Sequence, residues 1–288
     1  MKTLQALKGV RVLSLSLNLP GPGALMRCQQ MGARCVKLES PNGDPMALYS
    51  QAAYAQLHIG IRMAQADLKT GQGQHVLHRE LAKTDVLLTS FRPSALVKLG
   101  LSWKTLHQQY PQLSMVAIVG ASGARAEEPG HDLTYMAEND LIPGLDLPAS
   151  LYADMGGSLM ASEAVLQATL IQRSTSKGVY AEVALSEAAA YIGLPRSWGL
   201  TQPGAAVGGG HAGYRVYPCK DGRVAVAALE PHFASALCTL VGVSVVNIKT
   251  MFTPQTHQSI ATWLLTKTRK QLDALAIEKD IPLHTLPK

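Results

Sequence analysis

From Gly9 to Leu17 the chain sets Val10, Val12, Leu13 and Leu15 among small and polar positions, a pattern that predicts a strand. Asn18-Leu-Pro-Gly-Pro-Gly23 predicts a turn, Ala24 to Met31 a helix closed by Gly32, and Ala33 to Glu39 a second strand ended by Pro41 to Pro45. Together they form a βαβ unit, whose parallel strands require a right-handed crossover. The alternation continues with a helix over 72–83, a strand over 85–90, helices over 93–99 and 103–110, and a strand over 113–119 that runs into Gly120-Ala-Ser-Gly123. Alanine-rich segments over 154–171 and 181–193 predict two more helices.

Composition shifts sharply at Thr201-Gln-Pro-Gly-Ala-Ala-Val-Gly-Gly-Gly210. Beyond it, Tyr214 to Tyr217 and Val224 to Leu229 flank an Asp-Gly turn, a hairpin signal, and helices follow over 231–241 and 255–265. The pattern thus predicts a doubly wound, Rossmann-like parallel α/β domain over 1–190, a linker over 191–204 and a smaller α+β domain over 205–288. In such sheets ligands bind beyond the carboxyl ends of the strands.

The 288 residues are 47% hydrophobic and 16% charged, which excludes a disordered chain. The four cysteines, Cys28, Cys35, Cys219 and Cys238, form no CxxC pair and no secretory signal precedes them, so they read as thiols of a cytoplasmic protein. The apolar run from Thr239 to Val246 is too short to span a membrane, and no membrane association is expected. A net charge of +6 favours an anionic partner. Its Lys and Arg are scattered and aromatics reach only 5%, so a small anion is expected rather than nucleic acid.

Taken one at a time, the candidate chemical residues have plain structural readings. Gly21-Pro-Gly-Ala-Leu-Met26 carries two glycines of a dinucleotide fingerprint with Glu39 downstream, but Met26 stands at the third glycine and Pro22 has no N–H to offer. A turn is the preferred reading. His131 alone is a loop histidine, Asp154 a helix N-cap, Glu230 a strand terminus and Gly208-Gly-Gly210 a flexible linker.

In order along the chain they gain meaning. Leu7-Lys-Gly-Val-Arg-Val-Leu13, Met31 to Glu39, Asp67-Leu-Lys69, Phe91-Arg-Pro93, Gly130-His-Asp-Leu-Thr-Tyr135, Leu151-Tyr-Ala-Asp-Met-Gly-Gly157, Gly208 to Gly210, Lys220-Asp-Gly222 and Ala228-Leu-Glu-Pro231 resemble the family III CoA-transferases, or CaiB–BaiF family, and within them the α-methylacyl-CoA racemases. The resemblance implies Asp154 as the carboxylate shared by the family, His131 as a second acid/base and Glu230 as the partner of that histidine. It implies Arg92 and Lys37 near the adenosine and phosphates of CoA, Gly156 and Gly157 where the thioester approaches, and Gly208, Gly209 and Gly210 as a shielding loop. It further implies an interlocked homodimer acting on acyl-CoA, with no permanently bound cofactor, no metal, and CoA entering as part of the substrate. The family's C-terminal return segment is expected to be absent here. Three functions follow as alternatives: an α-methylacyl-CoA racemase, a CoA-transferase working through an aspartyl–CoA thioester, and a non-catalytic CoA-binding homologue.

Overall fold

The computed structural model describes residues 4–244 and 247–288; Val245 and Val246, which end the apolar run, lie outside them. The chain divides into two compact units, Met1–Gly193 and Leu194–Lys288.

The first unit opens with β1 (Arg11–Ser14), α1 (Pro20–Gln30) and β2 (Arg34–Glu39). Two short helices, α2 (Met46–Tyr49) and α3 (Gln51–Leu57), lead to β3 (Arg62–Gln65), and α4 (Gly71–Leu81) to β4 (Val86–Thr89). Helices α5 (Pro93–Lys98) and α6 (Trp103–Gln109) precede β5 (Ser114–Val119). Helix α7 (Asp132–Glu138) and the long α8 (Tyr152–Thr175) return the chain to β6 (Tyr180–Ala184), followed by α9 (Leu185–Ile192). All strand pairs are parallel, in the order β3-β2-β1-β4-β5-β6. Successive residues face opposite layers: Leu13, Leu38 and Leu87 meet the α4–α6 side, while Val12, Cys35 and Leu88 meet α1 and α8. Every residue of β4 and β5 is buried, as a parallel sheet covered on both faces requires.

Three expectations need correction. The alanine-rich stretch from 181 to 193 is half strand: Tyr180–Ala184 pairs along β5, and only from Leu185 does the helix begin. Sheet pairing overrides the helical propensity of alanine there. Residues 18–23 are not a free turn, because α1 already starts at Pro20, which fits the first helical position since its missing N–H is not needed there. Gly21 and Gly23 lie inside that helix. A Cβ on Gly21 would overlap Ser16, and one on Gly23 would come 2.6 Å from Ser158 Oγ, so both serve close packing. The expected sequence pattern also missed β3, a short polar edge strand.

The second unit holds the expected hairpin, β7 (Tyr214–Cys219) against β8 (Gly222–Ala227), after a short α10 (Leu194–Ser197). Helices α11 (Pro231–Val241), α12 (Pro254–Leu265) and α13 (Arg269–Glu278) pack on the sheet, which β9 (Leu283–Leu286) completes antiparallel to β8. The Gly208–Gly210 run is not a flexible linker. Gly208 and Gly210 donate to the Ala205 carbonyl at 3.0 and 2.9 Å, and Gly209 adopts φ +93°. His257 Nε2 lies 2.9 Å from the Gly210 carbonyl and pins the loop to α12.

Candidate active site

The strand order reverses between β1 and β4, and at their carboxyl ends lies a pocket of about 170 Å³. Leu17 and Asn18 after β1, Ser90 to Arg92 after β4, Gly120 after β5 and Leu185 after β6 line it. His131, Tyr135 and Asp154 complete the wall.

Asp154 stands in the first turn of α8, which begins at Tyr152, two residues earlier than expected. Its own N–H does not remain free for a ligand: it donates to Asp132 Oδ1 at 3.0 Å. Burial pushes the Asp154 carboxyl up from 3.8 to about 6, and the charge of Asp132 adds to the rise while His131 opposes it. The carboxyl is therefore poised near neutrality: His131 is the one opposing charge, and no hydrogen-bond donor among the described residues holds its side chain ionised.

His131 is exposed and occupies the N-cap of α7. Its N–H donates to Thr134 Oγ1 at 3.1 Å and its carbonyl accepts from the same hydroxyl at 2.8 Å, which fixes the backbone while leaving the imidazole to the pocket. Arg92, also exposed, caps α5 just ahead of Pro93. The structure thus brings Arg92, His131 and Asp154 to one pocket.

Other expected site residues stand elsewhere. Lys37 is fully buried, and its ammonium is held by Asp44, by Glu39 Oε1 at 3.0 Å and by His58 Nε2 at 3.1 Å. With no exposed surface it cannot meet a phosphate, so its assignment to CoA is withdrawn. Its work is structural: Asp44 Oδ1 accepts from Asn18 N–H at 2.9 Å, so the buried pair holds the loop that lines the pocket. Gly156 and Gly157 have a packing reason of their own. A Cβ on Gly156 would come 2.7 Å from Ile192 Cδ1, and one on Gly157 would overlap Leu185, so the glycines let α8 approach α9. Glu230 and Gly208–Gly210 belong to the second unit, where Glu230 is exposed and caps α11.

Two residues escaped the sequence reading, Tyr135 in the pocket wall and Asp132 behind it. Asp132 is 5% exposed and ties α7 to the start of α8 through the Asp154 N–H. Tyr135 is 6% exposed and lies against Gly120 and Gly130, where any Cβ would strike its ring or hydroxyl. Burial, then the nearby Asp154, raises the pKa of its phenol. Among the described residues its hydroxyl makes no hydrogen bond, which leaves it a donor for a ligand. The signal was present in the sequence: both lie in the Gly130-to-Tyr135 string, one and four residues after His131, hence on one helical turn.

The sequence profile of CoA-transferase family III matches residues 7–287. The chain belongs to this family. It is 30% identical over 255 residues to the α-methylacyl-CoA racemase of Homo sapiens, a match that covers 82% of this chain and 65% of the relative. Over 139 residues it is 33% identical to the cinnamoyl-CoA:phenyllactate CoA-transferase of Clostridium sporogenes, covering 44% of this chain and 34% of that one. The chain therefore spans less than two thirds of the length of these relatives. A CaiB/BaiF family protein from Brucella suis has the same fold, with a TM-score of 0.82 at 21% identity over 100% of this chain and 85% of its own. Among the described residues no three His, Cys, Asp or Glu side chains gather as a metal site would need, and no helix is long and apolar enough to cross a membrane.

Proposed function

We propose that the chain is an enzyme of the racemase branch, inverting the α-carbon of a 2-methylacyl-CoA thioester by two-base proton transfer. The observation that carries this reading is that His131 and Asp154 line the same pocket, the carboxyl poised at about 6. Inversion needs one group to take the α-proton and another to return a proton from the opposite face, each titrating near neutrality. A histidine has that pKa untuned, and a carboxylic acid acquires it by burial. In one direction neutral His131 accepts the proton and the protonated Asp154 carboxyl delivers its own; in the other the roles exchange. The enolate oxygen formed between these steps needs a preorganised donor, and the Tyr135 hydroxyl is free to supply it. Arg92 at the rim suits the CoA phosphates. Glu230 is assigned, from the family resemblance, to orient the His131 imidazole, and Gly208, Gly209 and Gly210 to close over the thioester. The same resemblance supports a homodimer, and the unpaired cysteines support a cytoplasmic location. Light scattering at micromolar concentration that returned a single-chain mass would contradict the dimer.

The second reading is CoA transfer, favoured by the similarity to the clostridial transferase. There the Asp154 carboxylate attacks the thioester carbonyl and expels the CoA thiolate, leaving a mixed anhydride. The thiolate then attacks the aspartyl carbonyl, releasing the acid and leaving an aspartyl–CoA thioester. The third, a non-catalytic CoA-binding homologue, predicts neither reaction. Proton NMR of a 2-methylacyl-CoA in deuterated water separates all three. Loss of the α-proton signal supports the racemase. Its retention, with CoA passing to an added carboxylate, supports the transferase, and CoA binding without either change supports the third.

A further inference from the structure

The parallel strands of the first unit start at the edge of the sheet opposite the pocket, and that edge forms a second concave site. Arg11 opens β1 and Arg34 opens β2, and the two are direct partners in the ladder. Arg62 opens β3 in register with Val36, two residues beyond Arg34. Since side chains alternate, all three point to the face on which Leu13 and Leu38 meet α4. There Arg79 in the last turn of α4 and Lys83 just after it join them around a groove of about 820 Å³.

Glu80 is the one carboxylate in that lining and is engaged by Arg62; Asp85, beyond it, takes Arg11 at 3.6 Å. Arg34, Arg79 and Lys83 have no carboxylate partner among the described residues, and all three are exposed. Like charges side by side in a ladder repel. The carbonyl end of α4 compensates Arg79 and Lys83, but Arg34 has no such offset beside Arg11.

We propose that this groove binds an anion carrying two or more linked phosphates, bridging Arg34 on the sheet to Arg79 and Lys83 on the helix. A guanidinium offers paired N–H donors that match phosphate oxygens, and two of the three unpaired cations are arginines. No aromatic side chain lines the groove, so no base is stacked and the phosphates alone are recognised. A soluble oligophosphate and a multiply phosphorylated lipid headgroup share this chemistry. The site is separate from the pocket of Arg92, His131 and Asp154.

The test is calorimetric titration of the full chain with sodium tripolyphosphate at low salt, beside co-sedimentation with phosphatidylcholine vesicles containing phosphatidylinositol bisphosphate. The Arg34→Ala, Arg79→Ala, Lys83→Ala triple variant should bind about tenfold or more weakly, because each loses a charge-assisted contact. Arg92→Ala and saturating CoA should leave binding unchanged, and added salt should weaken it. Binding of tripolyphosphate assigns a soluble ligand; binding of vesicles alone, lost in the triple variant, assigns a headgroup. The proposal is overturned if wild type binds neither probe, if a triple variant with an unaltered thermal melt binds as well as wild type, or if CoA displaces tripolyphosphate.

Discussion

Lys37 and Asp154 both withdraw an ionisable group from water on the ligand side of the sheet, yet their surroundings differ. Around Lys37 every demand is met. Asp44 and Glu39 supply negative charge, the Tyr54 hydroxyl donates to Glu39 at 2.9 Å, and Asp44 also accepts from the Asn18 and Met46 amides. His58 donates through Nδ1 to the Tyr54 carbonyl at 2.6 Å, which leaves Nε2 to accept from Lys37. Burial and the ammonium both keep His58 below its usual pKa, hence neutral. Around Asp154 burial is not repaid: Asp132 adds charge of the same sign, and only His131 opposes the rise. A compensated charge becomes scaffold, while an uncompensated one remains able to exchange a proton.

Replacing the uncompensated group should therefore cost activity and not the fold. Asp154→Asn and His131→Ala are each expected to lower racemisation by about 10²- to 10⁴-fold, the usual contribution of a positioned acid/base. Steady-state rates with both enantiomers check this, alongside thermal melts that should not fall. If Asp154→Asn abolishes turnover while His131→Ala barely changes it, the transferase reading replaces the racemase.

Replacing the compensated group should do the reverse. Lys37→Met leaves Asp44 and Glu39 buried without a cation, and removing one partner of a buried pair costs about 3–5 kcal/mol. Urea unfolding measures it. A variant as stable as wild type would show that the ammonium is not the keystone of the Asn18 loop.

This contrast was only partly legible in the sequence. The βαβ pattern showed through because strands such as β4 and β5, buried on both faces, leave unbroken apolar runs. The edge strand β3 reads Arg-Met-Ala-Gln, with no apolar face to detect, and β6 hides its alternation in an alanine-rich stretch. His131 and Asp154 were found through the order of their motifs, since neither stands out by spacing. Lys37 went astray for a physical reason: a lysine near the end of a strand looks exposed unless one knows that Asp44 and His58 fold back onto it.

Titration of Asp154 itself tests most directly whether its burial goes uncompensated. A folded-state pKa raised above the unfolded value means that ionising Asp154 costs stability. That cost is absent below about pH 3.8 and grows as the pH rises towards 6. Asp154→Asn removes it, so the variant should gain on wild type as the pH climbs through this window. The measurement is the carbon-13 spectrum of side-chain carboxyls in aspartate-labelled protein, with the Asp154→Asn spectrum subtracted. The account predicts one resonance titrating at about 6, shifted lower in Asp132→Asn because a like charge is gone. A resonance titrating at about 3.8, the value of an ordinary solvated aspartate, would contradict it.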